Sequence, residues 1–104
     1  MAGQTVPIST AEDMIRDYYD YMTNLGVNME EQTQSISFSA SAVMEYLSEP
    51  MASADELRVF MGLYPAEHEQ AGRTTVILWP YLNGQPLEQG GNPIEPFNDG
   101  KGNP

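Results

Sequence analysis

The sequence predicts an α+β domain: a small, mostly antiparallel three-stranded sheet packed against two helices, with an extended Gly- and Pro-rich C-terminal tail. Three observations predict it. Arg73 to Tyr81 (Arg-Thr-Thr-Val-Ile-Leu-Trp-Pro-Tyr) is the densest run of β-branched and aromatic residues and holds the one tryptophan. It is too short for a typical helix, and Pro80 would stop one, so it reads as a buried strand. Leu57 to Tyr64 lies a short polar loop upstream and sets Leu57, Val59, Met61 and Leu63 against Arg58, Phe60, Gly62 and Tyr64. Two partly apolar faces suggest a central strand, paired with the first. Ahead of both, Ala11, Met14, Ile15, Tyr18, Met22 and Leu25 recur at helical spacing, the stripe of an amphipathic helix.

Taken in order, residues 1–8 read as an extended lead-in, 9–87 as a single domain and 88–104 as a tail without regular structure. The first helix should span about Ala11 to Leu25. Ser9 with Glu12, and Thr10 with Asp13, have capping-box spacing. Glu12 and Asp13 would lie in the first turn, where the helix dipole favours negative charge, and Gly26 supplies the C-terminal stop. Val27 to Gln34 is a polar connection. Gln34 to Ser39 places Ile36 and Phe38 on one side and serines on the other, a half-buried strand. Ser39 or Ser41 then caps a short helix running to about Leu47, with Pro50 ending it.

Met51 to Asp55 reads as a linker, and Ala66 to Gly72 as a loop between the two main strands. On the later strand Thr75, Ile77 and Trp79 face one way and Thr74, Val76 and Leu78 the other. Pro80 lacks an N–H, so pairing should weaken there or the strand should lie at an edge beyond it. Asn83-Gly84 is a hairpin turn signal, from which Gln85 to Leu87 would return as an edge strand. In the tail, Ile94 and Phe97 are the side chains able to dock on a core or a partner.

At 104 residues the chain is long enough for one modest core. Fifteen Asp and Glu against four Lys and Arg give a formal net charge of −11. That strongly disfavours nucleic-acid backbones, and also anionic membrane surfaces, as partners. It suits a basic protein, although scattered acids also serve plain solubility. With no cysteine, disulfides, thiol catalysis and cysteine-ligated metals are excluded. No apolar run approaches the ~18–20 residues of a membrane span, and the first residues carry no basic and apolar leader pattern. A cytoplasmic protein is the expectation.

Several constellations invite a chemical reading. Glu67-His68-Glu69 contains the single histidine, but neighbours in an extended loop point apart, and there is no second histidine to complete a metal set. Asp13, Asp17 and Asp20 share one face of the first helix, where they would form a solvated surface or meet a basic partner. Tyr18-Tyr19-Asp20-Tyr21 places tyrosines around the helix, so Tyr19 or Tyr21 must leave the core stripe and favour an interface. Arg58, Arg73 and Tyr81 would line a pocket if the strands brought them together. No phosphate loop, nucleophile elbow or Ser/His/Asp grouping occurs, so no catalytic residue, cofactor or metal ligand is assigned.

Ile36-Ser-Phe-Ser, Asp55 to Pro65, Gly72 to Tyr81 and the Pro- and Gly-rich end around Phe97 to Gly100 resemble a group of small uncharacterised bacterial proteins. In these a strand and short helix precede two further strands. The resemblance covers about Ile36 to Tyr81 and implies the order strand–helix–strand–strand. It implies no activity.

The sequence therefore predicts a non-enzymatic protein–protein interaction module, in one form an acidic inhibitor or immunity-type protein for a basic target. Asp13, Asp17, Asp20, Tyr19, Tyr21 and Phe97 are its expected contact residues. The competing expectation is a small-molecule-binding or small enzyme domain with a pocket near Arg58, Arg73 and Tyr81. The chain would be a monomer, or a homodimer joined through the sheet edge after Tyr81.

Overall fold

The computed structural model describes residues 3–48, 53–98 and 100–103. Pro50, Asp99 and the first two residues of the expected linker, Met51 and Ala52, lie outside them. The β-branched run forms β3 (Thr74–Leu82) and the run before it β2 (Glu56–Leu63). With β4 (Gln85–Pro86) they make an antiparallel three-stranded sheet in the order β2-β3-β4. β2 is therefore an edge strand and not the central one its two partly apolar faces suggest, since among the described residues no strand pairs beyond it. Register runs without a slip from Glu56 opposite Tyr81 to Leu63 opposite Thr74, so the two alternations coincide. Phe60, Trp79 and Tyr81 share one face, and Val59, Met61, Val76 and Leu78 the other. The class is α+β, with two helices: α1 (Ile8–Asn24) and α2 (Ala40–Ser48).

Pro80 does not weaken the pairing. The Tyr64 N–H donates to the Arg73 carbonyl at 2.9 Å and the Tyr64 carbonyl accepts the Gly72 N–H at 3.1 Å, so the backbone groups of Tyr64 point toward the β3 side. By alternation, the odd-numbered residues of β3 bond to β2 and the even-numbered ones turn outward. The missing N–H of Pro80 therefore faces away from β2, and the residue is fully buried opposite Leu57. Asn83 and Gly84 follow at φ 51° and 79°. Two successive left-handed residues are what a two-residue hairpin requires.

The outward groups of β3 explain a large departure from expectation in the tail. Residues 88–104, expected to be irregular, contain β5 (Glu88–Gln89), β6 (Asn92–Pro93) and β7 (Lys101–Asn103). Buried backbone groups need partners, and the tail supplies them. The Leu87 N–H donates to the Pro80 carbonyl at 3.0 Å, and Leu78 and Phe97 exchange two bonds of 2.8 Å. The Asn98 side chain donates to the Val76 carbonyl. The sheet edge after Tyr81 is thus filled by β4 and the segment behind it.

Beyond Phe97 the chain continues as β7, antiparallel to β1 (Ser35–Ser37). Gln70 grips β7 from the side, donating to the Gly102 carbonyl at 2.7 Å and accepting its N–H at 3.0 Å. Gln32 accepts the Thr74 N–H at 2.8 Å. Side-chain amides here replace a missing strand. The Tyr64 hydroxyl donates to the Gly100 carbonyl at 2.8 Å from a buried ring.

Gly100 passes so close to β1 that an added Cβ would lie 2.6 Å from both Ile36 and Phe38. Both side chains belong to the packed region, so neither can simply swing into solvent. Gly100→Ala is expected to cost about 1–3 kcal/mol, as overpacking does in a filled core. Urea unfolding checks this, and a midpoint unchanged from the wild type would show that β1 and β7 yield freely.

Of the two helices, α1 departs in detail from expectation. α1 begins at Ile8, with Pro7 at the N-cap and the Ala11 N–H bonded to the Pro7 carbonyl at 3.0 Å. The lead-in accordingly ends at Pro7. No side chain caps the helix, because Ser9 and Thr10 lie inside its first turn and neither capping box forms. Proline serves instead, its fixed φ of −58° setting the entry. α2 begins as expected, with the Ser39 hydroxyl accepting the Ala42 N–H at 3.4 Å.

Candidate functional site

A helix with an apolar stripe normally buries it. α1 has no buried residue. Met14 is 61% exposed, Ile15 67%, Tyr21 63% and Leu25 63%. Only Ala11, Tyr19 and Met22 are half-buried toward the rest of the chain. Covering one such side chain is worth roughly 1.5–3 kcal/mol, so the stripe leaves a substantial driving force unused.

The acids sit where the sequence places them. Asp13, Asp17 and Asp20 are exposed along α1, on the face away from its apolar stripe. Asp13 is held by Arg16 at 2.8 Å, an exposed pair worth little in itself. Tyr19 is half-buried and donates to the Glu30 carboxylate at 3.3 Å, which ties the helix to the loop behind it. Tyr21 reaches solvent.

Phe97 is placed otherwise. Its ring lies 5.4 Å from Phe38 and 4.8 Å from Tyr46, centroid to centroid, inside the chain's own packing. The Tyr46 hydroxyl donates to the Glu95 carbonyl at 3.0 Å. Burial raises the Tyr46 phenol above its ordinary pKa of 10.0. A raised folded-state value means that its contribution to stability is complete below pH 10.0 and lost as pH rises through the folded pKa. An alkaline melt should show this loss, and Tyr46→Phe should remove that part of the slope.

The three residues of the expected pocket do not converge. The Arg58 guanidinium lies 4.1 Å above the Tyr81 ring and 2.9 Å from Glu56. Phe60, Trp79 and Tyr81 continue this cluster, with centroids 5.8–6.4 Å apart. Arg73 stands at the far end of β3 opposite Tyr64, where Nε and Nη2 are buried without a hydrogen bond among the described residues. His68 stacks on Tyr64 at 4.5 Å and accepts the Gln70 N–H on Nδ1 at 2.9 Å, so it braces a turn. Among the described residues no three carboxylate or histidine side chains gather where a metal ion could sit.

A cleft of about 240 Å³ opens between Tyr18 of α1, Ile36 of β1 and Met61 and Val76 of the sheet. It is smaller than the roughly 300–1,000 Å³ of ordinary small-molecule sites. It reads as the gap left because α1 stands off the sheet.

The exposed surfaces missed in the sequence are those on α1 and β2. On β2, Val59 is 55% exposed and Met61 and Leu63 are each 68% exposed. Periodicity identifies an apolar face but is silent on what covers it. No helix among the described residues is long and apolar enough to cross a membrane. Comparison with family models, curated proteins and solved structures finds no match to this chain.

Proposed function

We propose that this protein is a non-enzymatic interaction module whose contact element is α1. The observation that carries the reading is the unburied apolar stripe of that helix, with Ile15 67% exposed. The complementary partner presents an apolar groove bordered by Lys and Arg, into which an amphipathic helix lays its side chains. Met14, Tyr21 and Leu25 enter the groove, and Asp17 and Asp20 meet its basic border. An acidic inhibitor or immunity-type protein that blocks a basic target is one concrete form, and a net charge of −11 would speed its association.

The test is capture from host lysate by the wild type, by Asp17→Lys/Asp20→Lys and by Met14→Ser/Leu25→Ser. The expected result is one basic partner, weakened by salt and by the charge reversal, and lost with the serine variant. Charge reversal should slow association by roughly 10–100-fold at low ionic strength. It should leave stability within about 0.5 kcal/mol, since both positions are exposed. A partner held equally by all three proteins would place the contact elsewhere.

A further inference from the structure

We infer that β2 is a self-association edge, through which two copies of this chain join their sheets. This goes beyond the α1 reading and does not depend on it. Alternation from Tyr64 turns the backbone groups of Leu57, Val59, Met61 and Leu63 away from β3. Among the described residues these groups have no hydrogen-bond partner, and no strand lies beyond β2. The contrast with β3 is direct. Its outward groups are met by Gln32, Asn98, Phe97 and Leu87. A long apolar edge without a lysine, proline or covering segment is a template for another strand.

The strand that fits is β2 of a second copy. A two-fold axis through Phe60 runs the two strands antiparallel and keeps like faces on the same side. Leu57 then lies opposite Leu63 of the second copy, and Val59 opposite its Met61. These are the residues whose backbone groups point outward, so ladder and side-chain rows close together. No like charges are opposed: Arg58 meets Gly62 of the second copy, and Glu56 meets its Tyr64. Glu56 and Arg58 also cancel within β2, which makes it a neutral edge on a chain of net charge −11. Phe60 of each copy meets the other across the axis and extends the Trp79–Tyr81 cluster.

The experiment measures molar mass by sedimentation and amide exchange by NMR, from micromolar dilution to millimolar concentration. The expected wild-type result is twice the chain mass at high concentration, with the Leu57, Val59, Met61 and Leu63 amides protected about tenfold or more relative to dilution. Val59→Pro removes an N–H that β3 does not use, so it should leave a folded monomer. Val59→Lys, which keeps that N–H but brings charge to the edge, should weaken the dimer if the proline variant does not fold. A wild type of single mass throughout overturns the inference. So does a dimer whose β2 amides exchange equally at both concentrations, which would indicate another contact face. Protection appearing only with a foreign protein would also overturn it, by assigning the edge to a different partner.

Discussion

Leu87→Ala is expected to lower stability by about 2–5 kcal/mol, the range for a buried leucine whose site cannot fully collapse. Leu87 is 2% exposed. Its N–H is bonded to the Pro80 carbonyl, and its own carbonyl accepts the Ile94 N–H at 2.9 Å. The side chain thus fastens the C-terminal segment to the buried end of β3. In a chain of this size the loss corresponds to a Tm decrease on the order of 10 °C or more. Urea unfolding followed through Trp79 gives the energy, and amide exchange at Ile94 gives its location. A change below about 0.5 kcal/mol, typical of a surface position, would show that the segment after β4 is not part of the core.

Phe97→Ala is the second large effect, expected near 2–3 kcal/mol, toward the lower end of buried Phe→Ala changes because Phe97 is only half-buried. The ring is the common neighbour of Phe38 and Tyr46, so α2 and the segment after β1 lose one anchor together. Faster exchange at Leu78, whose N–H and carbonyl are both bonded to Phe97, is the local signature. If Phe97 instead served a partner, the substitution would abolish binding and leave the melting temperature intact. The packing around it argues for the opposite result.

Much of the fold was legible in residue order. Strands β2 and β3, their facing, the Asn83-Gly84 turn and the brief β4 follow from period-two alternation and turn chemistry, which act over a few residues. Helix α2 and its Ser39 cap are equally local. The capping signal of Ser9 and Thr10 predicts a later start for α1 than Ile8, and Pro7 pre-empts it by fixing the backbone one turn earlier. Of the candidate contact residues, the exposed aspartates and Tyr21 lie on solvent as their spacing on α1 implies. Tyr19 and Phe97 turn inward to Glu30 and the aromatic cluster, contacts made across distance in the chain.

The sequence alone determined the two helices, the strands β1 to β4 and which of their faces are apolar, because those properties are set by neighbours in the chain. Tertiary structure alone decided where those faces go. It drew a Gly- and Pro-rich tail into strands because the outward backbone of β3 had to be hydrogen-bonded. Among the described residues it left the apolar stripe of α1 and the outer edge of β2 uncovered.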